Sequence, residues 1–184
     1  MNSKALIEIL SFTDEPMELY KIYNESTLLY RITDIERIVR SSKEYQGWVT
    51  WKKNRYSQKI CKELNINTED YDGVYIEQDH FPITIFDIIF IIGNKMLASL
   101  TGDQFLTIFD IASIVVQEHL DEHNHIGTVS LTTTFHQLRH NGVHHLKLDS
   151  INGDYQHFLD KYRDYIPEAV QDRIDLNLQS IRQE

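Results

Sequence analysis

The sequence predicts an α+β fold that is mostly helical, and three features of the chain indicate it. Apolar residues recur at three- and four-residue spacing over most of the chain, as in amphipathic helices. Short alternating runs rich in β-branched residues interrupt this pattern in a few places, as in strands. The 184 residues are 41% hydrophobic and include few Gly and Pro, so one sizeable core can be buried. One compact unit is therefore expected.

Helices are expected over most of the first 64 residues. Apolar spacing indicates helices at 3–10 and 14–30, and Thr33-Asp34 is expected to begin another short helix. Ser41-Ser42-Lys43-Glu44 is typical of a helix start and precedes a mixture of aromatic and basic residues. Residues 56–64 are expected to continue that helix or to form a short one.

Strands and helices then alternate. A polar loop with turn residues precedes VYIEQDHF, in which apolar and acidic residues alternate. The elements predicted from there onward are a strand at 74–81, apolar helices at 84–98 and 104–119, a strand at 126–131, a short helix from Thr132 that contains His136 and His140, a strand at 143–149, a turn at Asn152-Gly153, and helices at 154–166 and 167–182.

Charge is distributed unevenly along the chain, whose net charge is −10. The segment 37–62 has eight basic residues and one acidic residue, a net charge of +7, whereas the remainder has a net charge of −17. A basic patch can bind a phosphate backbone while an acidic body repels it. The segment is therefore either a DNA contact or an ordinary solvated helix face. The residues expected to contact DNA are Arg40, Lys43, Lys52, Lys53 and Arg55.

A cytoplasmic protein is expected. The single cysteine, Cys61, excludes an intramolecular disulfide and a CxxC zinc site, and it suits a reducing compartment. The first ten residues, MNSKALIEIL, lack the pattern of a secretory signal. The most apolar stretch, ITIFDIIFII, contains Asp87 and is about half the ~20 residues of a membrane span, so no membrane partner is expected.

Histidines are concentrated near the C-terminal third, where residues 125–145 contain five of the nine in the chain. His136 and His140 are four residues apart on a predicted helix, so they share one face with Cβ atoms about 5–6 Å apart. Two imidazoles so placed can bind one divalent ion. Since a solvated histidine-rich helix has the same spacing, this pattern alone is a weak indication.

Asp79 and His80 form a second candidate pair, at the end of a predicted strand and just before Pro82. Adjacent strand residues point to opposite sides. A bend at the strand end would direct both side chains into one cavity, where the carboxylate could bind metal and the imidazole act as a base. The simpler interpretation is a solvated pair in which Asp79 contacts His80.

Two segments in this order, IEQDHFP (76–82) and SLTTTFHQLRH (130–140), resemble the motifs of the HNH, or ββα-metal, nuclease superfamily. The second includes the HxxxH variant of colicin-type DNases. The flanking segments RSSKEYQGWV (40–49) and PITIFDI (82–88) are similar to segments of HNH-like proteins of bacterial viruses. The resemblance covers roughly residues 40–145.

The resemblance implies a ββα-metal core with inserted and flanking helices. The implied regions are a helical N-terminal region (1–72), the core with its helical insertion (73–149) and the C-terminal helices (150–184). By position it implies phosphodiester hydrolysis in DNA, with His80 as the general base. One divalent ion, Mg²⁺, Mn²⁺, Ni²⁺ or Zn²⁺ in the family, would be bound by Asp79, His136 and His140. Two imidazoles and one carboxylate suit a transition metal better than Mg²⁺.

The chain departs from the family pattern in two ways. Asp79 and His136 are farther apart than in compact members, because two apolar helices are inserted between them. The residue that would orient His80 is open, since Asn124, His125, His123 and His119 are all candidates and strict register from Leu131 leads to Gly127.

Two other functions are compatible with the sequence. An acidic viral protein could keep an HNH-like fold without catalysis and bind and inhibit a host protein, by imitating the charge of nucleic acid. A small α+β domain with surface histidines is the third possibility. A viral protein of either kind would act in the cytoplasm of the host.

Overall fold

The structure is a computed structural model that describes residues 20–55, 60–61, 66–67, 76–121, 126–132 and 151–181. Elements are numbered within these residues. The helices are α1 (Glu25–Ser41), α2 (Lys43–Arg55), α3 (Ile85–Ala98), α4 (Ile108–Leu120), α5 (Tyr155–Tyr162), which continues as a 3-10 turn (Arg163–Tyr165), and α6 (Glu168–Gln179). The strands are β1 (Lys21–Ile22), β2 (Ile60–Cys61), β3 (Ile66–Asn67), β4 (Ile76–His80), β5 (Leu106–Thr107), β6 (Thr128–Thr132) and β7 (Ile151–Asn152).

The predicted α+β, mostly helical fold is confirmed, but the N-terminal helix boundaries are wrong where the structure describes them. Asn24 caps α1: its side chain accepts a hydrogen bond from the backbone N–H of Thr27, whose hydroxyl in turn accepts one from the N–H of Asn24. The two residues of β1 pair with β5 instead of continuing a helix from residue 14. α1 then runs through Thr33, where a new helix was expected.

The two apolar helices inserted after β4 are confirmed. Thr84 caps α3 and Thr107 caps α4, each by accepting a hydrogen bond from the backbone N–H three residues later. The second helix begins later than predicted, because residues 106–107 pair with β1. The core lies where α1 packs against α3 and α4, and α2 packs against α4.

β4, β6 and β7 form an antiparallel sheet in that order. His80 pairs with Thr128 and Ile76 pairs with Thr132, so α3 and α4 are inserted between two neighbouring strands. The two strands are therefore neighbours in the sheet although they are far apart in the sequence. The predicted helix with His136 and His140 and the predicted strand at 143–149 lie outside the described residues. Ile151–Asn152 forms β7 where a turn was predicted at Asn152, and Gly153, with φ of 109°, makes the turn itself.

The C-terminal helices pack against the rest of the molecule. Arg173 on α6 donates two hydrogen bonds to the carboxylate of Asp87 on α3, and Asn177 donates one to the carbonyl of Pro82. Phe158, Val170 and other residues of these helices belong to the same buried cluster as Leu28 of α1. Within the described ranges, no helix is long and apolar enough to cross a membrane.

Candidate functional site

His80 lies on the polar face of the β4–β6 strand pair. Directly paired residues on antiparallel strands point to the same face, so His80 and Gln78 share a face with Thr128 and Ser130. A hydrogen bond of 2.5 Å from Gln78 Nε2 to Ser130 Oγ agrees with this arrangement. The pairing of β4 with β6 directs the imidazole of His80 toward helices α2 and α4.

Asp79 lies on the opposite face of the same strand. Its paired residue Val129 belongs with Phe81 and Leu131 to a small apolar cluster on that face. The backbone N–H of Phe81 still donates to the carbonyl of Gly127, at 3.1 Å, so the pairing continues past residue 80. The bend that was expected to direct Asp79 and His80 into one cavity is therefore absent.

His119, in the last turn of α4, is the hydrogen-bond partner of His80. The two Nε2 atoms are 3.0 Å apart, and His119 Nδ1 is 2.7 Å from the carbonyl oxygen of Val115. A carbonyl only accepts hydrogen bonds, so His119 Nδ1 carries its proton and His119 Nε2 has a lone pair. His80 Nε2 must then donate, which leaves the lone pair of His80 on Nδ1.

Two aromatic rings of α2 enclose the histidine pair. The ring of Trp48 stacks on His80 at 5.9 Å between centroids and meets His119 edge-on at 4.8 Å. Tyr45 makes a similar pair of contacts at 6.4 and 5.2 Å. The exposed fraction is 6% for His80 and 1% for His119. The indole and phenol rings therefore hold both imidazoles in fixed orientations.

Burial sets the charge of both imidazoles. It lowers the pKa of His80 well below the usual value, and the neighbouring His119 adds to this effect. Burial also lowers the pKa of His119 to about 4, although the hydrogen bond with the Val115 carbonyl opposes the shift. Both rings are neutral near pH 7, as the single shared hydrogen bond requires.

Lys52 of α2 is fully buried beside the pair. Its ammonium donates to the carbonyl of Ile126 at 3.3 Å and to the hydroxyl of Thr128 at 3.2 Å, and it lies 5.3 Å from the centre of the Trp48 ring. Burial lowers the pKa of Lys52 to about 7. Lys52 therefore connects α2 to the start of β6, and it does not have the exposed position that its predicted contact with DNA requires.

This arrangement can accept a proton at a defined atom. A neutral imidazole whose Nε2–H is engaged has its other nitrogen available as a base, and the hydrogen bond prevents the ring from changing tautomer. His119 fixes His80 in this way, and the Val115 carbonyl fixes His119.

A comparison with protein families determines the origin of the chain. Residues 2–184 match the bacteriophage G278-like virion proteins. The chain belongs to this family of phage proteins. Searches of curated proteins and of solved structures found no significant match.

The predicted metal ligands of this G278-like protein are only partly described. Asp79 is half-buried on the face of β4 that does not contain His80. His136 and His140 lie outside the described residues. Within the residues described, no three His, Cys, Asp or Glu side chains are grouped as a metal site requires.

The candidates for orienting His80 are separated by the structure. Asn124, His125 and His123 lie outside the described residues, whereas His119 contacts His80 directly. A signal for His119 exists in the sequence of the G278-like protein. It continues the row of apolar residues on α4 that includes Ile108, Ile111 and Val115, a spacing that puts His119 on the buried face of the helix.

The predicted DNA contacts lie on or next to α2. Lys43 is exposed, and Arg40 at the end of α1 is exposed and bonded to Glu36 at 2.8 Å. Lys53 and Arg55 belong to α2, and their side chains lie outside the described part. Among the three members whose side chains are described, Lys52 is buried, whereas Arg40 and Lys43 are exposed.

Proposed function

We propose that this phage protein is a metal-dependent DNA endonuclease of the HNH type, with His80 as the general base and His119 as the residue that positions it. The hydrogen bond between His80 and His119 is the observation that carries the proposal. A general base must be neutral at the working pH and must present its lone pair in one direction. The buried pair meets both conditions.

The reaction would be the hydrolysis of one phosphodiester bond. His80 Nδ1 would take a proton from water, the water oxygen would bond to phosphorus, and the bond from phosphorus to the 3′ oxygen would break. His119 would keep the protonated His80 in place by continuing to accept from its Nε2–H. General-base catalysis of this kind contributes about 10²- to 10⁴-fold to the rate.

Asp79, His136 and His140 would hold one divalent ion. A carboxylate and two imidazoles suit Mn²⁺, Ni²⁺ or Zn²⁺ better than Mg²⁺. Because Asp79 faces away from His80 on β4, binding the ion beside His80 would require the Asp79 side chain to turn toward that face. When bound, such an ion stabilises negative charge on the phosphate and on the leaving 3′ oxygen. Support for this ligand set comes from the order of the motifs, since β6 pairs with β4 and ends at Thr132, four residues before His136.

DNA is the proposed substrate and partner. Arg40 and Lys43 are exposed near the N-terminal end of α2, and they would contact the phosphate backbone as the basic segment predicts. Membership of a virion protein family suggests that the protein travels with the phage particle and acts on DNA in the host cytoplasm.

The test is cleavage of supercoiled plasmid by the full chain with Mg²⁺, Mn²⁺, Ni²⁺ or Zn²⁺. His80→Ala should reduce nicking by about 10²-fold or more. His136→Ala should lose both metal binding and nicking. His157→Ala, which alters an exposed histidine on α5, should keep both. Absence of cleavage by the folded wild-type protein with all four ions would overturn the proposal.

The role of His119 needs a readout that a loss of stability would not mimic. His119→Leu should lower kcat by about 10-fold or more, an effect larger than any change in KM, because the orientation of the general base is affected. His119→Gln, whose side-chain oxygen can still accept from His80, should recover much of this loss. Equal activity of the two variants would contradict a positioning role.

A non-catalytic role is the second candidate, and the 6% exposure of His80 favours it because a base must reach water. Under this hypothesis the protein keeps the fold and binds a host protein through its acidic surface. A tightly bound ion that neither exchanges nor supports cleavage, together with a stoichiometric host partner, would favour this candidate over the endonuclease.

A further inference from the structure

A pocket is lined in part by His119, and the proposed proton transfer does not use it. Its volume is about 400 Å³, within the range of roughly 300–1,000 Å³ typical of ligand sites. The residues that line it are Glu44, Gly47, Trp48, Trp51, His119, Leu120 and Asp121.

The pocket is formed by one stripe of α2 facing the C-terminal end of α4. Glu44, Gly47, Trp48 and Trp51 are spaced so that they lie on the same side of a helix. Trp51 is 42% exposed and Leu120 is 46% exposed, so two large apolar side chains of the lining are partly accessible to solvent. Open aromatic surface next to a concave site is typical of ligand binding rather than of packing.

Gly47 keeps the pocket open. A Cβ atom placed on Gly47 would have no heavy atom within 4 Å, so the space above this residue is empty. Glycine in a helix interior costs about 1 kcal/mol relative to alanine. The free space and the absence of a left-handed backbone at this residue mean that the glycine is not required by the fold.

The lining determines which chemical class fits. Aromatic and aliphatic side chains form the walls, and the charged groups that line the pocket are the carboxylates of Glu44 and Asp121. Among the described residues that line it, none is a lysine or an arginine, so these residues favour an uncharged ligand over a phosphate group. A flat, uncharged ligand with N–H donors on one edge would stack on the indole and donate to a carboxylate.

We propose that this pocket binds one unpaired nucleobase of single-stranded DNA, stacked on Trp51, with its amino edge toward Glu44. The choice of nucleic acid rests on the proposed endonuclease function. Lys43 is exposed and directly precedes Glu44, so it can contact the backbone outside the pocket. Since His119 both lines the pocket and bonds to His80, the bound base would lie against the residue that positions the general base.

Tryptophan fluorescence, excited selectively over that of the tyrosines, reports on this site, because the two tryptophans of the chain, Trp48 and Trp51, both line the pocket. The protein used is His80→Ala in EDTA, so that binding is measured without metal or cleavage. Titration with oligo(dC) should give saturable quenching. Oligo(dT) should bind at least about fivefold more weakly, because thymine lacks the amino group that would donate to Glu44.

Gly47→Met is the decisive variant, since its side chain would occupy the pocket without meeting other atoms of the protein at Cβ. It should weaken oligo(dC) binding by about tenfold or more, as should Trp51→Ala. Phe86→Ala, which changes an exposed aromatic residue outside the pocket, should bind like the parent. Thermal melting would show that each variant is folded.

Three outcomes would overturn the nucleobase site. These are the absence of quenching by any oligonucleotide, equal binding by Gly47→Met and its parent, and equal binding of duplex and single strand. Failure of the endonuclease is distinguishable, because it is measured by plasmid cleavage with the wild-type protein. Oligonucleotide binding without plasmid cleavage would support the pocket and reject the endonuclease. If the wild-type protein cleaves plasmid, and Gly47→Met changes neither cleavage nor oligonucleotide binding, the pocket alone is rejected.

Discussion

Glu118 and His119 are neighbours at the end of α4, but their side chains enter two different environments. Glu118 accepts hydrogen bonds from the ammonium of Lys161 at 2.7 Å and from the hydroxyl of Tyr162 at 2.7 Å. His119 points to the other side of the helix, toward His80, Trp48 and the region of the buried Lys52. Within the described residues, no carboxylate hydrogen-bonds to either imidazole.

The difference separates a stabilising cluster from a candidate site. The charge of Glu118 is balanced by Lys161, much as that of Asp87 is balanced by Arg173. Burial lowers the pKa values of Lys52, His80 and His119, and at His119 it outweighs the opposing charge of Glu118. Burial and Glu118 also raise the pKa of Tyr162, so a perturbed group occurs in both clusters. The histidine pair is the proposed centre because His80 Nδ1 has a lone pair that can accept a proton, whereas the charge of Glu118 is already balanced by Lys161.

Glu118→Ala should give the largest loss of stability. It leaves the Tyr162 hydroxyl and the Lys161 ammonium without their shared acceptor, which should cost about 3 kcal/mol in the free energy of unfolding. Urea unfolding measures this. Glu118→Gln is the control, because its amide oxygen can still accept from Tyr162, so its loss should be smaller. A loss under about 1 kcal/mol for Glu118→Ala would mean that the cluster is not stabilising.

Lys52 should give the protein a stability that rises with pH. Its pKa falls from 10.5 unfolded to about 7 folded, so the unfolded chain binds the proton more tightly between these values. The penalty is fully present below pH 7 and should decrease by about 2–4 kcal/mol as the pH rises toward 10. Urea unfolding at several pH values would measure it.

Lys52→Met is the matched variant for this pH dependence, and it should remove most of the slope. The neighbouring imidazoles do not titrate in this window, because burial lowers the pKa of both, and burial raises the pKa of Tyr45. Parallel curves for the wild type and Lys52→Met would show that Lys52 keeps its ordinary pKa.

His119→Leu should destabilise the protein by about 1–3 kcal/mol without metal or DNA, because the Nε2–H of His80 then has no acceptor in a buried position. His119→Gln supplies an acceptor and should be the more stable of the two, although leucine is the more apolar residue. If the leucine variant is the more stable, the hydrogen bond between the histidines does not stabilise the fold.

Two helical glycines give the smallest and most contrasting pair of effects. Gly47→Ala should stabilise the protein by about 0.5–1 kcal/mol through helix propensity, since nothing lies near its Cβ position. Gly93→Ala should destabilise it by about 1 kcal/mol, because its Cβ would lie 2.6 Å from the buried Leu28 side chain. Thermal unfolding of both variants measures this, and shifts of the same sign would contradict the packing assigned to α1 and α3.

Local pattern was sufficient for much of the fold. Alternation predicted β4 and β6, and apolar spacing together with capping residues predicted α3, α4 and the two C-terminal helices. It failed at residues 21–22, which pair with residues 106–107 far along the chain. Helical propensity is weak enough for such a distant pairing to override it.

The sequence by itself determined the residue types available for chemistry, the position of His80 at the end of a strand and the two helices inserted before its partner strand. The tertiary structure decided that His119 meets His80, that Lys52 is buried and that Asp79 faces away from His80. The physical reason is that the sequence pattern is local, whereas these contacts join residues far apart in the chain. Periodicity reports which face of an element is buried, whereas the contact between residues 80 and 119 depends on how α4 packs against α2 and the sheet.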